Sequence, residues 1–286
     1  MLPLRDENPT SHFPFMLVAI ILLNLAAFLL WEPTFGADRA ERETTFFYCH
    51  GLIPYEAIHH VSLADGGRAA RIAIDEADVG ASGRELQDVL STACPHKNWL
   101  LSVFTSMFLH AGWIHIGGNL LFLWVFGNNV EDRIRPLGFL LFYLASGIVA
   151  ALVQLALVHS GANLIVPNVG ASGAIAGVLG AYLLMFPRRR VLTLVIFFII
   201  TIVYLPAFVV LGLWFVLQAF SGLLVLSNHV NAGGGVALWA HIGGFSFGAV
   251  MALLFFPRER FGDRPPPSRP DWRGRRWPRR RPQLGY

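Results

Sequence analysis

Apolar residues dominate this chain in long blocks separated by short polar stretches. The first block covers residues 14–31, and the polar stretch after it, 32–98, holds most of the acidic groups. Further apolar blocks lie at about 99 or 112 to 130, at 137–158, at 172–186, at 191–226 and at 236–256. A helix that spans a bilayer needs about 20 predominantly apolar residues, and most of these blocks come close to that length. As one helix, 191–226 would reach roughly 54 Å at about 1.5 Å per residue, too long for a hydrocarbon core of about 30 Å. Pro206 divides it into an interfacial or re-entrant piece at 191–204 and a spanning helix at about 206–227. The pattern predicts an all-α integral membrane protein with six transmembrane helices. Its parts are a leader at 1–13, a first helix at 14–31, a long outer loop at 32–98, a helical core at 99–256 and a tail at 257–286.

Composition agrees: 55% of the 286 residues are hydrophobic and only 14% are charged, which excludes an ordinary soluble globular chain. The 14–31 block is long for a signal peptide and no convincing small-residue cleavage site follows it, so it reads as a helix. An even number of spans puts both termini on one side, together with Arg133, Arg135, Arg188, Arg189, Arg190 and the basic tail. Positive charge marks that side as cytoplasmic and leaves 32–98 outside. The tail carries ten arginines against three acids from Arg258 to Arg281. It reads as disordered and in contact with anionic lipid headgroups, each cation contributing on the order of 1 kcal/mol; no nucleic-acid partner is expected. Cys49 and Cys94 both fall in the outer loop, as a disulfide in an oxidising compartment or as two free thiols.

The absence of acids decides several cases. No Asp or Glu lies between Asp88 and Glu131, or between Arg133 and Arg258. A paired-aspartate membrane protease therefore has no candidate residues, and no HExxH zinc motif exists in the chain. Carboxylate-based proton coupling through the core is unsupported as well.

The remaining polar groups still assemble a site. Ser172 stands in Gly170-Ala171-Ser172-Gly173, with Gly177 four residues beyond Gly173. His241, Gly244 and Gly248 share one face of the last helix at i, i+3 and i+7. Gly173 with Gly177, and Gly244 with Gly248, are small-xxx-small pairs that let membrane helices touch backbone to backbone. Packed together, those faces bring Ser172 within reach of His241, a nucleophile beside a general base. The oxyanion formed on attack needs donors. The Ser172 N–H at a helix start is one, and His115 and Asn119, at i and i+4, offer two more. With no carboxylate to orient His241, the pair is a dyad. Gly-rich residues 231–235 suit a mobile cap. His110 reads as structural, and the adjacent His59 and His60 as solvated or as an adventitious metal site.

Taken together, the serine motif at 170–173, His241 with Gly244 and Gly248, and His110 with His115 and Asn119 resemble the rhomboid intramembrane serine proteases. Glu131-Asp132-Arg133 is similar to that family's E-x-R element closing the second helix. The resemblance covers roughly residues 99–256 and implies a six-helix rhomboid-like bundle in a bacterial inner membrane. It implies Ser172 as nucleophile, His241 as base, His115 and Asn119 as oxyanion ligands, and other transmembrane proteins as substrates, with no metal or cofactor. Three features depart from the family pattern: Trp99-Leu100 stands where a Trp-Arg pair is frequent, Ala176 where an aromatic often follows the serine, and the loop 32–98 carries an inserted charged stretch at about 62–90. The alternatives are a non-catalytic relative that binds membrane clients, against which the intact polar set argues, and a channel, which would need polar residues along a whole pore.

Overall fold

The computed structural model describes residues 1–65, 67–76, 89–158, 162–196, 200–228 and 237–255. The expected mobile cap at 231–235 and the basic tail lie outside them. The chain opens with strand β1 (Leu2–Asp6) and helix α1 (Phe15–Ala26), extended by a wide turn at Ala27–Trp31. Helices α2 (Arg39–His50), α3 (Pro54–His59) and α4 (Arg68–Glu76) follow in the outer segment. The core comprises α5 (Trp99–Thr105), α6 (Trp113–Ile134), α7 (Pro136–Leu157) and α8 (Ser172–Met185). Strands β2 (Arg190–Ile196) and β3 (Ile200–Pro206) lead into α9 (Ala207–Asn228) and α10 (Leu238–Phe255).

Among the described residues, α7 and α10 are long and apolar enough to cross a membrane. The segments Trp99–Phe108 and Trp113–Ile134 meet at 77° and make a third span if taken as one. The apolar helices Phe15–Trp31, Ser172–Met185 and Ala207–Ser221 are shorter. α8 is the central element, with all of residues 173–182 buried. A helix that is apolar all round has to be enclosed by others, and α6, α7 and α10 enclose it.

The fold is mostly helical and not, as expected, all-α. The three strands form one antiparallel sheet in the order β1-β2-β3. The leader therefore contributes a strand, and the piece at 191–204 is most of a hairpin. Its sequence, rich in Val, Ile, Thr, Phe and Tyr, has strong strand preference, but a continuous apolar run carries no period that separates strand from helix. Alternation emerges on pairing: Val191 and Thr193 are buried, whereas Ile196, Ile200, Ile202 and Tyr204 are exposed. On the buried side, the Asp6 carboxylate accepts from Tyr182 Oη at 2.9 Å and Asn129 Nδ2 at 2.6 Å, fastening the sheet to the end of α8 opposite Ser172.

Glu131 and Asp132 lie in the last turn of α6, which ends at Ile134. Their carboxylates reach the start of α1, which has no side-chain cap of its own. Glu131 accepts from the N–H groups of Met16 and Leu17 (3.0 and 2.6 Å), and Asp132 from those of Ser11 and His12 (both 3.0 Å). Acceptors with negative charge suit the unpaired N–H groups of a helix start.

The outer segment is a folded unit with its own apolar cluster, which includes Ile53, Tyr55, Leu63, Leu90 and Ile165. Cys49 and Cys94 are joined in a disulfide. Beside it, Lys97 Nζ lies 2.6 Å from Glu56 and donates to the carbonyls of Tyr48 (2.6 Å) and Gly51 (3.0 Å). Both side chains of this pair are buried, and the added carbonyls share in solvating the ammonium. His59 packs on Tyr55 and His60 on Trp99, so each of the adjacent histidine rings has its own aromatic partner. Trp99, which lacks the arginine neighbour common in the family pattern, thus ties α5 to α3 through His60.

Candidate active site

Backbone contact between α8 and α10 builds the site. A Cβ on Gly244 would run into the Gly173 carbonyl oxygen, and one on Gly248 into that of Gly177. At these positions the two helices approach until no side chain fits between them. One turn from Gly244, His241 is then directed at Ser172. Ser172 Oγ and His241 Nε2 are 2.7 Å apart, within hydrogen-bond distance.

The start of α8 is fixed by Gly170, whose φ of +131° is open to glycine and strained for other residues. A Cβ there would also meet the His115 ring at 3.0 Å. Its N–H donates to the Ser106 carbonyl at 2.8 Å. This turn leaves the Ser172 N–H in the first turn of α8, where backbone donors have no intrahelical partner.

His115 and Asn119 come from α6 and line the same cavity as Ser172 and His241. The Ala111 N–H donates to His115 Nδ1 at 3.2 Å, so in the neutral ring Nε2 carries the proton and is a donor. Asn119 is buried, and its Nδ2 has no hydrogen-bond partner among the described residues. A buried donor without a partner costs free energy, so a ligand oxygen reaching it would be favoured. His110 is fully buried: it lies edge-on to His115 at 5.2 Å, and its Nδ1 donates to the Phe108 carbonyl. These contacts anchor its ring in the turn before α6.

Residues that the sequence did not single out complete the site. Glu32 Oε1 accepts the His110 N–H at 2.9 Å, pinning the turn that leads into α6. Glu32 is buried, and this desolvation pushes its carboxyl up to about 7. Gln154 of α7 accepts the Ala240 N–H at the start of α10. Gln218 Oε1 lies 3.0 Å from His241 Nδ1, and the Trp214 ring centroid 5.7 Å from that of His241. One signal for Gln218 was available: it is the first polar side chain in the apolar run of α9, and polar groups within membrane segments are disproportionately functional.

The cavity measures about 680 Å³. Ile114, Phe122 and Trp214 give it apolar walls, and Phe47 and Tyr48 of α2 reach it from the outer unit. It places a hydroxyl and an imidazole beside His115 and Asn119 in a largely apolar enclosure, a combination suited to acyl transfer. Among the described residues, no group of three His, Cys, Asp or Glu side chains could hold a metal ion.

A family model for the Rhomboid domain matches residues 97–258. The chain is 35% identical over 96 residues to rhomboid protein 1, mitochondrial, of Saccharomyces cerevisiae, a match covering 33% of this chain and 28% of that protein. It is 32% identical over 162 residues to rhomboid-like protein 11, chloroplastic, of Arabidopsis thaliana, covering 52% and 50% of the two chains. Over 88 residues it is 38% identical to rhomboid protease GluP of Bacillus subtilis, covering 31% and 16%. The chain thus spans half or less of the length of these relatives. The matched domain takes in more than half of the chain, including α5 to α10 together with Ser172, His241, His115, Asn119, Gln154 and Gln218: this membrane protein belongs to the rhomboid family.

Proposed function

We propose that this protein is an intramembrane serine endopeptidase that cuts other membrane proteins in or near their transmembrane segments. The observation that carries this reading is the 2.7 Å contact between Ser172 Oγ and His241 Nε2, facing an apolar cavity. His241 takes the hydroxyl proton as Oγ attacks the substrate carbonyl carbon. The oxyanion so formed accepts hydrogen bonds from the Ser172 N–H, from Asn119 Nδ2 and from His115 Nε2. The imidazolium then protonates the leaving amine, and water drawn in from the outer side hydrolyses the acyl-enzyme. Base and donors all come from the chain itself.

In this reading the six apolar segments all belong to the membrane domain, and both termini lie on the cytoplasmic side of a bacterial inner membrane. The disulfide between Cys49 and Cys94 supports an oxidising compartment for the outer unit. The arginine-rich tail would meet anionic headgroups.

A fluorophosphonate probe, which esterifies an activated serine with loss of fluoride, tests the reading on detergent-solubilised protein. Wild type should label, whereas Ser172→Ala and His241→Ala should not while remaining folded. Folded wild type that fails to label would overturn the protease reading and favour the non-catalytic client binder.

A further inference from the structure

We infer that Gln218 is the positioning residue of this dyad: its side-chain carbonyl oxygen holds the proton of His241 on Nδ1 and so leaves Nε2 free to serve as the base. This rests on the protease reading above. A glutamine Oε1 only accepts hydrogen bonds, so its 3.0 Å contact with His241 Nδ1 requires Nδ1 to be the donor. In a neutral imidazole Nε2 is then an acceptor, as proton removal from Ser172 demands, and Nε2 is the atom 2.7 Å from Ser172 Oγ. Without such a partner the ring is free to carry its proton on Nε2, where it could only donate to the serine.

Two features explain why an amide fills the place that a carboxylate takes in a triad. The membrane domain has no acid between Arg133 and Arg258, and an ionised side chain beside an apolar cavity is expensive. An amide fixes the tautomer without a buried charge. It must itself be held, and α9 supplies the hold: Trp214, one turn before Gln218, packs near both His241 and Phe245, and Phe215 stacks on Phe245 at 4.5 Å. With alanine at 176, no aromatic stands one turn beyond Ser172 on α8 to brace the imidazole. Trp214 and Gln218, at i and i+4 on α9, brace it from the opposite helix.

The test reads the tautomer and the serine separately. Solid-state ¹⁵N NMR of histidine-labelled full-length protein in liposomes reports which ring nitrogen is protonated, with His241 assigned by its loss in His241→Ala. Fluorophosphonate labelling gives the reactivity of Ser172. Wild type should show a protonated Nδ1 and a bare Nε2. Gln218→Leu should move the proton toward Nε2 and slow labelling by about 10- to 100-fold, as when a metal-bound histidine loses its hydrogen-bonding partner. Gln218→Glu keeps an acceptor oxygen, so it should keep the wild-type tautomer and label faster than Gln218→Leu, with a shifted pH profile. An unchanged tautomer in folded Gln218→Leu would overturn the inference, whether or not labelling slowed. Wild type that never labels, while its tautomer still follows residue 218, would remove the protease reading and leave the positioning role standing.

Discussion

His115 and His241 face one cavity with their protons on opposite nitrogens. The Ala111 N–H donates to His115 Nδ1, so His115 presents an N–H at Nε2; Gln218 accepts from His241 Nδ1, so His241 presents a lone pair at Nε2. One ring is thereby set to donate and the other to accept, before any substrate arrives. In the proposed mechanism this is the division of labour between an oxyanion ligand and a general base.

The oxyanion role is tested at Asn119, whose buried Nδ2 has no partner among the described residues. Asn119→Ala should lower kcat for a transmembrane peptide substrate by about 10- to 1,000-fold, the scale for losing one such donor. KM should change little, because the lost contact forms only as charge develops on the substrate oxygen. A variant with wild-type kcat would take Asn119 out of the mechanism.

The approach of α8 to α10 is tested at Gly248, where a Cβ would collide with the Gly177 carbonyl. Gly248→Ala should lower thermal stability by about 1–3 kcal/mol, the usual cost of overpacking. It should also slow labelling of Ser172, because helices forced apart separate Oγ from Nε2. Scanning fluorimetry on the purified variant, run beside the probe assay, would show whether both effects appear. An unaltered melting midpoint would mean that the helices have room to spare.

Much of this site was legible in the sequence, because its parts are local patterns. Small residues at fixed helical spacing predicted which faces of α8 and α10 meet, and the spacing of His115 and Asn119 predicted that both side chains share a face. Gln218 and Glu32 were not found, and Glu131 was singled out without its capping role, for a common reason: each acts on a partner far along the chain. Glu32 serves His110, 78 residues away, and Glu131 caps Leu17, 114 residues away. No local period marks such a pair. The β2–β3 hairpin escaped for a different reason, since its apolar run fits a strand or a buried helix equally well.

The disulfide gives a third prediction. Cys49 and Cys94 close a loop with a sequence separation of 45, for which the chain-entropy model gives about 4 kcal/mol of stabilisation. Reduction, or the Cys49→Ser and Cys94→Ser double variant, should loosen the outer unit first, because that unit has a separate apolar cluster. Hydrogen exchange should show faster exchange in α2 and α3 and little change in α8. Since Phe47 and Tyr48 of α2 line the cavity, KM for substrate should rise. Equal protection in the oxidised and reduced forms would show that the Glu56–Lys97 pair and the apolar cluster suffice alone.

Two buried carboxyls outside the spanning helices predict how stability depends on pH. Burial raises Glu32 from 4.5 to about 7 and Asp6 from 3.8 to about 6. In each case the folded protein holds its proton at pH values where the unfolded chain has already lost it. Their contribution is therefore fully present below about pH 4 and is lost progressively as pH rises through about 7. The melting midpoint in detergent should fall between pH 5 and pH 8. Glu32→Gln should reduce that fall, because the amide oxygen can still accept the His110 N–H while nothing remains to ionise. The comparison has a clear sign: at pH 8 the variant should melt above wild type, and at pH 5 the two should nearly coincide. If Glu32→Gln instead melts lower at both values, the carboxylate is ionised and stabilising in the folded protein, and the turn before α6 depends on its charge.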